Sequence, residues 1–82
     1  MSKQKRVYLD RMLEAIGQIE KYTLNTDYQK FKSNTMISDA CLMQFQFLGE
    51  TASKLRENFP GENGLPLRDM VDFRNFIAHE YL

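Results

Sequence analysis

Between Met36 and Phe59 the apolar residues Met36, Ile37, Ala40, Cys41, Phe45, Phe47, Leu48, Ala52 and Leu55 recur at helical spacing, and no proline interrupts them. A run of that length and period fits one long helix and excludes a strand, so the rest of the chain must fold around it. Pro60-Gly61-Glu62-Asn63-Gly64 ends the run, because proline lacks an amide donor and Gly and Asn tolerate left-handed dihedrals. Met43, Phe45 and Phe47 fall on different sides of this helix, which is therefore apolar over much of its circumference. Such a helix is either the centre of a bundle or faces a partner. A plain core explains these side chains, and so does a dimer interface, which resembles a core cut in half.

The flanking segments read as shorter helices. From about Arg6 to Leu24, Val7, Leu9, Met12, Leu13, Ile16 and Ile19 recur at steps of three and four. This helix should stop near Asn25, since Thr26-Asp27-Tyr28-Gln29 has the form of a capping box opening a new helix that Tyr28 and Phe31 would tack to the core. Ser33-Asn34-Thr35 offers caps for the long helix. Leu65-Pro66-Leu67 opens the last one, with Pro66 in its first turn, Asp69 near the positive end of the dipole, and Met70, Phe73, Ile77 and Tyr81 as its apolar stripe. No alternating strand pattern, internal repeat or low-complexity stretch appears. The expected fold is all-α: a small up-down helical bundle of three main helices and one short one.

Eighty-two residues make one domain, and a lone core of that size is marginal. One cysteine allows no internal disulfide, and Cys41 with the single His79 cannot complete a zinc site, so no metal or other cofactor is expected. Association into a homodimer is the remaining source of burial. The 11 basic and 11 acidic residues cancel, so no long-range field draws in a polyanion, and any nucleic-acid contact must be local. The basic Ser2-Lys3-Gln4-Lys5-Arg6 start reads either as a phosphate contact or as a solvated helix start. No apolar run approaches a membrane span, and the N-terminus lacks the apolar core of a secretory signal. A cytoplasmic protein with a reduced Cys41 is expected.

Histidine is the side-chain type whose unperturbed pKa lies nearest neutrality, which suits general acid-base work. His79 follows Arg74 by five residues and Asn75 by four, and precedes Tyr81 by two. Cleaving an RNA phosphodiester requires a proton taken from the 2′-hydroxyl, a proton given to the leaving oxygen, and donors or positive charge on the phosphoryl oxygens. Histidine can perform the first two tasks. Arginine suits the third, because its planar fork of donors matches phosphate oxygens as lysine cannot. Asn75 can orient a phosphate or hold the imidazole tautomer.

On one continuous helix Asn75 and His79 share a face, whereas Arg74 and His79 stand roughly 140° apart. Either the helix breaks between them, or two chains pool their Arg and His residues across a twofold axis. A purely structural reading is also open, in which Arg74 pairs with Asp69 or Asp72 while His79 and Tyr81 cap or pack the last turn.

The segment from Pro66 to Tyr81, containing Arg74-Asn75-Phe76-Ile77-Ala78-His79-Glu80-Tyr81, closely resembles the motif helix of HepT-like HEPN toxins: Arg, Asn, three residues, His, any residue, Tyr. Ser38 to Ala52, with Leu48-Gly49-Glu50-Thr51-Ala52, is similar to that family's long helix, which typically ends in Ile-Gly-Glu-Ala, and the Tyr8-Leu9-Asp10-Arg11-Met12-Leu13 start is similar too. The resemblance covers nearly the whole chain. It implies a helical dimer whose motif residues line one cleft, with metal-independent endoribonuclease activity on RNA. Arg74 and His79 would be catalytic, Asn75 would support them, and Tyr81 would line the cleft.

The partner it implies is a minimal nucleotidyltransferase antitoxin, which in some such pairs adds AMP to the motif tyrosine. That makes Tyr81 a candidate modification site, where added negative charge and bulk would exclude a substrate phosphate. Family members usually continue past the tyrosine with another helix. Residues 1–82 are thus expected to form a single HEPN-like domain lacking that helix, with His79 and Tyr81 near a fraying end. Two other functions compete: a catalytically inactive HEPN partner or scaffold for a nucleotidyltransferase, and a helical dimer with no ligand.

Overall fold

The first three helices each begin where a short polar side chain can accept from otherwise unpaired amides. In the computed structural model, which describes residues 2–61 and 64–81 apart from the Tyr81 side chain, four helices follow one another: α1 (Lys3–Tyr22), α2 (Tyr28–Ser33), α3 (Thr35–Asn58) and α4 (Leu67–Tyr81). Ser2 Oγ accepts from the Lys5 amide at 3.0 Å and so starts α1. Lys3, Gln4 and Arg6 are exposed, as a solvated helix start requires. Thr23 closes α1 through its amide to the Ile19 carbonyl, and Asn25 then takes a left-handed φ of 59° that turns the chain.

Asp27, rather than the expected Thr26, caps α2, accepting from the Lys30 amide at 2.8 Å. Asn34 caps α3 through Oδ1, which accepts from the amides of Met36 at 3.1 Å and Ile37 at 3.3 Å. Pro66 precedes the first residue of α4 instead of lying inside its first turn, and its carbonyl accepts from the Met70 amide. Asp69 occupies the first turn of α4 as expected. The α3–α4 connection runs through Pro60 and Gly61, whose φ of 95° only glycine adopts at little cost. Glu62 and Asn63, the middle of the expected breaker, lie outside the described residues.

The all-α expectation is met: four helices, and no strand among the described residues. α3 is the central element, with α1, α2 and α4 each packed against it. The main core is a seam of Tyr8, Met12 and Ala15 from α1, Leu48, Ala52 and Leu55 from α3, and Leu67 from α4, with Leu9, Ile16, Phe45, Met70 and Val71 half-buried around it. Ile77 and Cys41 are fully buried beside it.

Two expected core positions on α1, Val7 and Leu13, point to solvent instead, because the seam toward α3 runs through Tyr8, Met12 and Ala15. Tyr28 is likewise exposed, and no residue of the short α2 is fully buried. Phe73 of the α4 stripe is exposed on one side and packs edge-on against Phe45, with ring centroids 5.1 Å apart. Phe45, Phe73 and Phe76, with Phe31 and Leu42, line an apolar groove of about 450 Å³ between α2, α3 and α4. No helix is long and apolar enough to cross a membrane among the described residues.

Candidate functional site

Helix α4 runs unbroken from Leu67 to Tyr81, so Arg74, Asn75 and His79 all stand on one regular helix. The break between Arg74 and His79 considered above does not occur. Arg74 lies on the side of α4 turned toward α3, and its side chain is only 16% exposed. Two contacts fix its guanidinium. Nε donates to Asn75 Oδ1 at 2.9 Å, and Nη1 donates to Glu50 Oε1 in an ion pair between α4 and α3. A guanidinium carries five N–H donors. Three of these therefore have no partner among the described residues, and they are the ones available to phosphoryl oxygens.

The stem of Arg74 is held as closely as its head. A β-carbon at Gly49 would overlap Arg74 Cβ and would lie 2.7 Å from Arg74 Cγ and 3.1 Å from the Met70 carbonyl oxygen. Glycine at this position lets the two helices approach until the first carbons of Arg74 rest on the α3 backbone. Gln46, one turn earlier on the same face of α3, has a buried Oε1 with no partner among the described residues.

His79 is exposed, on the last turn of α4, and makes no hydrogen bond or ion pair among the described residues. Asn75, one turn before it, is exposed and shares its face. Side-chain geometry at Tyr81, the candidate for modification and for the cleft wall, lies outside the described residues. The structural alternative for Arg74 is corrected in its partner, since Glu50 across the helix interface, and not Asp69 or Asp72, accepts its ion pair.

Glu50 is the residue that sequence reasoning left without a role. The Gly49-Glu50 step in the long-helix motif was the available signal, but a pairing 24 residues distant leaves no trace in local spacing. Beyond Glu50, a groove of about 420 Å³ opens between α1 and α3, with Arg11, Glu14, Glu50 and Lys54 on its walls. Its acidic and basic groups balance, so it offers a phosphate no net attraction. Cys41 is 1% exposed, and burial pushes its thiol above the usual range, so it remains protonated and unreactive at neutral pH.

An antiparallel helical bundle of HEPN type, with an Arg-Asn and a His carried on its last helix, is thus the class that fold and site define. The matching relatives agree with that class. Residues 12–82 match the family described as "Ribonuclease HepT-like". A Methanocaldococcus jannaschii protein named "Putative RNase MJ1380" is 31% identical over 80 residues, covering 93% of this chain and 71% of its own. From the same organism, "Gamma-glutamylcyclotransferase and putative RNase MJ0434" is 27% identical over 82 residues, and this chain spans 37% of its length. A third, "Putative RNase MJ1216", is 26% identical over 80 residues, with 64% of its length spanned. No solved structure matches. The chain belongs to the HepT-like ribonuclease family.

Proposed function

We propose that the protein is a metal-independent endoribonuclease and the toxin of a toxin-antitoxin pair, with Arg74 and His79 as its catalytic residues. The observation that carries this reading is the contrast on α4 between a guanidinium held from two sides and an exposed imidazole with no partner among the described residues. Arg74 binds the phosphoryl oxygens through its remaining N–H groups and stabilises the charge that builds on them. His79 takes the 2′-hydroxyl proton as the 2′-oxygen attacks phosphorus. The imidazolium so formed gives that proton to the departing 5′-oxygen. The new bond is 2′-O–P, the broken one is P–O5′, and the products are a 2′,3′-cyclic phosphate and a 5′-hydroxyl.

Two chains are needed because the unbroken helix holds Arg74 and His79 roughly 140° apart. A homodimer with a twofold axis beside α4 brings the Arg of one chain to the His of the other, while Asn75 keeps Arg74 aimed. The regulatory partner is a minimal nucleotidyltransferase that adds AMP to Tyr81, placing negative charge and bulk where the substrate phosphate binds.

One observation favours a second reading, that of an inactive HEPN partner of a nucleotidyltransferase: the ion pair with Glu50 already neutralises Arg74. Cleavage of mixed RNA in EDTA, compared among wild type, His79→Ala and Arg74→Ala, separates the two. Cleavage by the wild type with a loss of at least about 100-fold in each variant is expected, the usual worth of a general acid-base or oxyanion-stabilising group. A folded wild-type dimer that cleaves nothing overturns the ribonuclease assignment in favour of the inactive partner.

A further inference from the structure

We infer that Glu50 is a positioning residue of the ribonucleolytic site, acting through Arg74 and never touching the substrate. The inference rests on the ribonuclease reading above for its kinetic consequence, and on the structure alone for its geometry. Arg74 reaches solvent from beneath, with its stem against the α3 backbone at Gly49 and its Nη1 on the Glu50 carboxylate. Asn75 takes the remaining edge through Nε. These three contacts come from two helices and leave the guanidinium plane no free rotation.

A long flexible side chain that must be immobilised by its phosphate loses rotamer freedom on binding, whereas one already fixed has lost it on folding. Glu50 is 52% exposed and Arg74 16% exposed, so the carboxylate sits on the rim and the guanidinium beneath it. The carboxylate also subtracts from the positive charge that a phosphate meets. Removing it should therefore leave RNA binding equal or tighter while the aim of Arg74 is lost.

The test is a kinetic cycle with Glu50→Gln, which keeps size but removes the charge that holds Nη1 of Arg74 in the ion pair. In the wild-type background kcat should fall about 10- to 100-fold, the cost of misplacing a catalytic group by about an ångström, with KM unchanged or lower. In an Arg74→Ala background the same substitution should change single-turnover cleavage less than about two-fold, since effects that run through one residue vanish with it. Equal losses in both backgrounds, or a raised KM, would overturn the inference, because a merely structural carboxylate acts regardless of Arg74.

A second measurement needs no activity. In the wild type the Arg74 Nη1–H held by Glu50 should give a resolved, slowly exchanging NMR resonance, and Glu50→Gln should broaden or collapse it. An Nη1 resonance that is absent from the wild type, or indifferent to Glu50→Gln, refutes the clamp. If no RNA is cleaved while the resonance behaves as expected, the ribonuclease reading fails and the placement of Arg74 by Glu50 stands.

Discussion

Alanine replacing glycine at two positions should act in opposite directions. Gly17 lies within α1, is exposed, and has nothing within 4 Å of the place where a β-carbon would go. Gly49 lies within α3, is buried, and has Arg74 Cβ in that place. Both substitutions gain the same helix propensity, about 0.5–1 kcal/mol. Only Gly49→Ala must also push α4 away, because the atoms in its path are the root of a side chain and a backbone carbonyl, neither of which can swing aside. Overpacking of this kind costs roughly 1–3 kcal/mol. Gly17→Ala should therefore raise stability by about 0.5–1 kcal/mol, and Gly49→Ala should fall below Gly17→Ala by roughly 1–3 kcal/mol. Urea unfolding followed by far-UV circular dichroism measures the difference, with all chains at one concentration because association adds to apparent stability. Two alanine variants of equal midpoint would refute the close approach of α4 to α3 at Arg74.

Asn34→Ala removes the acceptor shared by the Met36 and Ile37 amides and should cost about 1 kcal/mol, or about 4–8 °C in Tm for a domain of this size; an unchanged Tm would show that water replaces the cap without loss. Burial raises the Cys41 thiol above its ordinary value of 9.0, so the folded chain keeps a proton that the unfolded chain releases near that pH. The unfolded state then binds fewer protons, and the contribution to stability is whole below pH 9.0 and is lost as the pH rises through the folded value. Thermal melts at neutral and alkaline pH should show a smaller alkaline loss in Cys41→Ala than in the wild type, and equal losses would exclude Cys41 as a source.

The helices and the cap of α3 were legible in the sequence because each depends on residues within one turn. Asn34 serves α3 through amides two and three residues on, and any Ser-Asn-Thr cluster before an apolar run predicts as much. The buried face of α1 was not legible. An apolar pattern fixes a stripe, but only the position of α3 decides that Tyr8 and Ala15 lie in the seam and that Val7 and Leu13 lie outside it. Arg74 shows the same limit at the site. Asp72 and Asp69 stand two and five positions before it, and neither spacing brings side chains together on a helix. Its partner had to come from another helix, and pairing across an interface depends on packing that one sequence does not print.

The geometry of α4 divides the motif between two directions. Arg74 is turned inward, held by Glu50 and Asn75, while His79 is turned outward with no partner among the described residues. Within one chain the two leave the helix roughly 140° apart, which makes it hard for one chain to aim both at a common phosphate. This division suits a composite cleft. The fixed guanidinium finds its scaffold in its own α3, and an imidazole that is to transfer protons would need access, which the exposed end of α4 offers. Mixing Arg74→Ala chains with His79→Ala chains tests the arrangement. A twofold site should regain activity in the mixed dimer, which contains one cleft half with an intact Arg and one with an intact His, whereas a site complete within each chain would gain nothing from mixing.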